Sequence, residues 1–196
     1  MAELIYEAVV TTCSPAGVAH VAPMGVRYAG DEVVLMPFRP STTLANIEAT
    51  GSAVLNLVTD VRVFAGCVTG RRDWPTVPVP GPAGTARCVR LAAALGHVVL
   101  RLVAQRDDPQ RPVLRLARID QAQHAPFPGL NRAQAAVVEA AVLVSRLHLL
   151  PADKIDAEMR YLQIAVDKTA GPDELQAWDW LQQAIARFRA DTGERR

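Results

Sequence analysis

The hydrophobic pattern of this chain changes period once, and that change limits the folds open to it. As far as His124 the apolar residues fall in short runs rich in Val, Ile and Leu, some alternating with polar ones, as in Val113 to His124 (VLRLARIDQAQH). Alternation of this kind marks a half-buried strand. From Asn131 onward Ala133, Val137, Ala140, Ala141, Val144 and Leu147 recur at three- and four-residue spacing, which lines one face of a helix. Ala125-Pro126-Phe127-Pro128-Gly129 separates the two regimes. Strands first and helices last predict an α+β fold, with a β domain over residues 1–127 and a helical subdomain over 128–196.

Within the first part, Leu4 to Thr12 and Val18 to Tyr28 flank Ser14-Pro15-Ala16-Gly17 and read as a hairpin. Pro23 and Gly25 weaken the second strand, so an edge strand with a bulge is expected, or a place where a flat ligand comes close. Further strands are expected at Val33 to Phe38, Ala53 to Val58, Thr85 to Ala94 and Gly96 to Gln105. Asp60 to Gly70 suits a strand or a short helix equally. Arg71 to Gly84 carries four prolines and two glycines and is expected to be loop throughout, either an insertion or a lid based on Trp74. In the second part three helices are expected, ending near Leu150, Lys168 and Ala190, punctuated by Pro151 and by Gly171-Pro172.

The stretch Met36 to Val58 (MPFRPSTTLANIEATGSAVLNLV) concentrates the polar chemistry. A short helix is expected from Thr42 to about Thr50, with Leu44 and Ile47 on one face and Gly51 as its stop. Ser41, Thr42 and Thr43 crowd its start. One hydroxyl is accounted for as an ordinary N-cap. No acid lies in the first turn and no Glu or Gln completes a capping box, so the remaining hydroxyls, the unopposed N–H groups and Arg39 describe an anion site suited to phosphate. Both readings, a capped helix and a phosphate site, stand on the residues alone.

Much other chemistry is excluded. Neither GxGxxG after a strand nor GxxxxGK[ST] occurs, and Ser14 and Ser41 lack a GxSxG setting. His20, His97, His124 and His148 are scattered singly without metal-ligand spacing, and no metal is expected. Cys13, Cys67 and Cys88 are odd in number and far apart, which points to buried thiols in a reduced, cytoplasmic setting rather than a disulfide framework. Net charge is +1 with dispersed Arg and Lys, so neither nucleic acid nor a membrane is expected as a partner. Glu3 and Glu7 interrupt any signal-peptide pattern, and Arg90, Arg101, Glu139 and Arg146 cut the apolar runs below spanning length.

The segment Pro40 to Val58, through Thr43, Asn46, Ile47, Gly51, Val54, Asn56 and Val58, resembles the strand–helix–strand signature of the FMN-binding split β-barrels. Flavin reductases and pyridoxine-phosphate-oxidase relatives are built on that barrel. With HVAPMGV (His20 to Val26), DVRVFAGC, LNRAQAAVVEAAVLVSRLHLL and DKTAGPDELQAW, most of the chain is similar to the split-barrel flavoproteins of domain of unknown function family 447.

The resemblance implies an FMN-binding split β-barrel followed by about three helices, acting as a homodimer with FMN near the interface. It places Arg39, Ser41, Thr42 and Thr43 on the phosphate, Asn46 on the same helix edge and Asn56 nearby. Backbone groups of Met24, Gly25 and Val26 would meet the isoalloxazine, where Gly25 leaves room for a planar ring. The activity implied is hydride transfer between a nicotinamide, NAD(P)H, and a small acceptor, pterin-like by analogy. A non-catalytic FMN carrier, sensor or assembly module is the alternative, and pyridoxal phosphate is a further ligand that such a phosphate site would take. His20 is the only acid or base evident there, and no catalytic residue is assigned.

Overall fold

A computed structural model describes residues 4–82 and 88–193. They divide into two compact units, one of residues 1–58 with 73–127 and one of residues 59–72 with 128–196.

The first unit is a barrel. Its strands are β1 (Tyr6–Cys13), β2 (Ala19–Ala29), β3 (Glu32–Leu35), β4 (Ser52–Leu57), β7 (Gly96–Arg106) and β8 (Val113–Gln123). They close in the order β1-β2-β3-β8-β7-β4, with every pairing antiparallel. Closure covers most of the sheet edge that would otherwise invite aggregation. Alternation decides what fills it: Val26, Val33, Leu35, Leu55, Leu100, Leu114 and Leu116 point inward and are buried to 0% exposure. Their neighbours in sequence point out.

Helix α1 (Thr42–Thr50) belongs to this core rather than to the surface. Leu44 and Ile47 pack into the same apolar cluster as the inward residues of the strands. The helix ends at Gly51, whose φ of 67° is the left-handed conformation that favours glycine, and the Gly51 N–H donates to the Ile47 carbonyl at 2.8 Å. Its packing partners are β1, β2 and β4.

Two expectations need correction. Residues 71–84 are not loop throughout, because β5 (Thr76–Val79) pairs with β6 (Cys88–Leu91) as a separate two-stranded antiparallel sheet. Pro78 opposes Val89 there; a strand with a single partner tolerates a residue that cannot donate. Nor is β2 bulged: its register with β1 runs unbroken from Cys13↔Ala19 to Tyr6↔Val26, through Pro23 and Gly25. The register shifts lie in the β7–β8 pair, between Val99 and Leu100 and between Leu102 and Ala104.

The undecided segment 60–70 is helical, as α2 (Arg62–Val68). In the second unit α3 (Arg132–Val144) packs against α4 (Ala152–Thr169) and α5 (Pro172–Gly193), and α2 packs against α3 and α5. Asn131 caps α3 by accepting from the Ala133 and Gln134 N–H groups, at 2.8 and 3.1 Å. Trp178 Nε1 donates to Gln163 at 2.7 Å, joining α5 to α4. Among the described residues no helix is long and apolar enough to cross a membrane. Cys13, Cys67 and Cys88 are buried, with no disulfide among them.

Where β7 begins and β8 has just ended, His97 Nδ1 and His124 Nε2 lie 2.8 Å apart in a hydrogen bond. His97 is buried and its Nε2 has no hydrogen-bond partner among the described residues. Burial above all, then the charges of His124 and Arg90, push the His97 pKa below 6.5, against a smaller pull from Asp120. The folded state therefore binds fewer protons than the unfolded one below pH 6.5. Stability from this source is complete above that value and is lost as pH falls through the depressed one. Acidification from about pH 7.5 to about pH 5 will lower the melting temperature of the native protein more than that of a His97→Gln variant; equal slopes in a thermal melt series would contradict this. Separately, Ile47→Ala removes a fully buried side chain from the barrel core and will cost about 2–5 kcal/mol in urea unfolding.

Candidate functional site

The sequence from Met36 to Thr43 leaves β3, turns and enters α1, and the turn is held from the side. Arg39 N–H donates to the Gln110 carbonyl at 2.8 Å, and Arg111 donates through Nη2 to the Met36 carbonyl at 3.0 Å. Arg111 also lies over the Phe38 ring, 4.5 Å from its centroid. The β7–β8 connection thus fixes where the chain enters the helix.

Ser41 is the N-cap, extended at φ −153°, and its hydroxyl accepts from the Leu44 N–H at 3.3 Å. The Ser41 carbonyl accepts from the Ala45 N–H. The N–H groups of Thr42 and Thr43 precede the first intrahelical bond and are left to outside acceptors. No acid lies in the first turn. Thr42 is exposed. Thr43 is 2% exposed, and its hydroxyl has no hydrogen-bond partner among the described residues. A hydroxyl without a partner in the fold is open to an acceptor or donor from outside it. Arg39 stands beside the turn with its guanidinium 3.0 Å from Asp107 and 3.6 Å from Glu48. These pairs are largely exposed and worth little, so an anion can compete for the arginine.

Four of the nine expected residues, Arg39, Ser41, Thr42 and Thr43, therefore meet at one helix start. The others divide. Asn46 is buried on the inner side of α1 and donates to the Thr12 hydroxyl at 3.0 Å, which ties the helix to β1. Asn56 lies apart from the turn and its amide is consumed by the fold. It donates to the Val9 carbonyl at 3.1 Å and accepts from the Leu91 N–H at 2.7 Å, stitching β1, β4 and β6 together.

On β2 the side chains of Met24 and Val26 pack on the barrel core, so only their main chains are available to a ligand. Val26 pairs with both Tyr6 and Leu35, whereas among the described residues Ala19 to Gly25 pair in strand register with β1 alone. Met24 and Gly25 therefore lie on a free sheet edge, and Val26 does not. The space beside Gly25 is already in use: a Cβ there would stand 2.7 Å from Ile5 Cγ2. The glycine admits Ile5 as the structure stands. The register also sets His97 opposite Asn56, Asn56 opposite Val9 and Val9 opposite Pro23 in one row across four strands. No local motif announces that row, because His97 and His124 are brought together only by strand pairing. Among the described residues no group of three or more His, Cys, Asp or Glu could hold a metal ion.

The architecture has counterparts. The FMN-bound protein MM1853 of Methanosarcina mazei aligns with a TM-score of 0.79 at 23% identity, over 93% of this chain and 96% of that one. The 2-nitrobenzoate 2-nitroreductase of Pseudomonas fluorescens aligns with a TM-score of 0.52 at 18% identity, over 63% of this chain and 66% of that one. At these identities the likeness establishes the fold. No curated protein matches the sequence. Residues 6–125 match the family model described as Protein of unknown function (DUF447) N-terminal domain, and residues 131–183 match that described as Protein of unknown function (DUF447). The chain belongs to the DUF447 family.

Proposed function

We propose that this protein is an FMN-binding flavoprotein that transfers hydride between a nicotinamide and a small acceptor, working as a homodimer. The observation that carries the cofactor reading is Thr43: a hydroxyl without a partner among the described residues, on a residue only 2% exposed, in the first turn of a helix. That turn has open N–H groups, an arginine alongside and no acid. A phosphate is the group that satisfies all of these together. The Methanosarcina mazei protein, similar in fold along nearly its whole length, is FMN-bound.

In this reading Arg39, Thr42 and Thr43 hold the phosphate while Ser41 keeps the helix start in place. The free edge of β2 at Met24 and Gly25 presents main-chain groups to the rim of the ring. FMN, when bound, supplies the hydride chemistry. The chain binds and orients it. Asn46 and Asn56 act at one remove, the first by fixing α1 on β1 and the second by fixing the strands beneath.

Two experiments test this. Replacing Arg39 and Thr42 by Ala touches exposed residues, so the fold should persist while FMN affinity drops. One charge-assisted contact is worth about 1.5–3 kcal/mol, which corresponds to roughly a ten- to hundredfold weaker Kd in a flavin fluorescence titration. Unchanged affinity sinks the phosphate assignment. Mixing the flavin-loaded protein with NADH or NADPH without oxygen should bleach the visible flavin band; persistence of the band with both donors would favour a carrier or sensor over a nicotinamide-linked reductase.

A further inference from the structure

A hollow of about 700 Å³ opens beside β1, β2, β3, β7 and β8, and none of the nine expected site residues lines it. Its walls include Arg27, Arg106 and Arg115 together with Tyr6, Tyr28 and Met36. A fourth guanidinium, Arg118, lies over the Tyr28 ring at 5.0 Å from the centroid. The two tyrosine rings are 5.2 Å apart and tilted by 53°. Of these cations Arg115 is paired with Glu32 at 2.6 Å. Arg106 forms no ion pair among the described residues: Asp107 is engaged by Arg39, and Asp108, which feels the Arg106 charge, accepts from the Gln110 and Arg111 N–H groups.

Like charges gathered around one hollow repel unless an anion sits among them. Guanidinium groups match phosphate oxygens in paired hydrogen bonds, and tyrosine walls offer a face to a planar base. The volume falls in the range of small-molecule sites. Charge, ring walls and size together describe a phosphate-bearing nucleotide.

The position narrows it further. Arg27 follows Gly25 by two residues and so projects from the same face of β2, about 7 Å along the strand. The hollow therefore adjoins the β2 edge to which the flavin ring was assigned. We infer that it binds the adenosine diphosphate part of a dinucleotide electron donor whose other end reaches the flavin. The donor's role rests on the flavoprotein reading above; binding in the hollow does not.

The test is a calorimetric titration of the flavin-loaded protein with ADP, with adenosine and inorganic pyrophosphate as separate arms. ADP should bind more tightly than adenosine. Arg106→Glu should weaken ADP by about tenfold or more, the size of one charge-assisted contact, without changing flavin content per chain. Arg106→Ala with Arg115→Ala should weaken it further, while Arg101→Ala, which does not line the hollow, should not. In turnover the donor's KM should rise and kcat should not fall. A silent ADP titration of the native protein overturns the inference, as does equal affinity in the Arg106→Glu and Arg101→Ala variants. If ADP gives no heat and Arg106→Glu changes the particle mass in light scattering, the hollow is a contact between copies and the inference again falls. Should the protein take up no flavin, the ADP titration still reads the hollow, so failure of the cofactor assignment and failure of this inference are told apart.

Discussion

The site depends on how α1 is seated. Leu44 and Ile47 are sunk into the barrel core, and with 100° of rotation per residue a helix held by two such side chains cannot turn without lifting one of them out. Rotation by one position would carry the exposed Ala45 and Glu48 into the apolar interior, and a charge there without a partner is prohibitive. The helix is thereby fixed in azimuth, and Asn46 bonded to Thr12 adds a polar restraint on the same side. Its first turn, with unused N–H groups and the Thr43 hydroxyl, then faces one place only.

Where side-chain patterning and turn chemistry decide structure, the residues were sufficient. The helix from Thr42 to Thr50 with its Gly51 stop, the hairpin around Ser14 to Gly17, and the three C-terminal helices follow from periodicity and breakers that act over a few positions. The α+β class was legible for the same reason, and the barrel through the resemblance carried by Pro40 to Val58 and the segments around it. The segment 76–79 was not, because Pro78 within it argues against a strand and only the presence of Cys88 to Leu91 alongside makes one. Likewise Arg62 to Val68 had no local signal strong enough to separate helix from strand, and became a helix that buries Val63, Phe64 and Ala65.

Residue roles that depend on distant partners were the least legible. Asn56 carries the same side chain whether it meets a ligand or holds strands together; its partners Val9 and Leu91 are remote in sequence and settle the matter in favour of the fold. Gly25 admits a close neighbour, as its lack of a side chain predicts, yet that neighbour is Ile5. His97 and His124, single in sequence, become a hydrogen-bonded pair through the register of β7 and β8. In each instance the residue type stated a capacity, and the tertiary structure chose which group would use it.

The same division explains why a cofactor class is easier to propose here than a reaction. Recognition of a phosphate and a flat ring draws on main-chain N–H groups, hydroxyls and a sheet edge, which leave traces as Ser-Thr-Thr at a helix start and Pro and Gly in a strand. A flavin brings its own redox chemistry, so the chain need not assemble a triad or a metal set to support it. Selectivity for a donor or acceptor is then left to the surfaces around the cofactor. Arg27 and Arg115, which border the hollow beside β2, project outward from strands whose other faces form the barrel core. One alternation of side chains thus serves two ends, filling the barrel on its inner side and shaping a charged recess on its outer side.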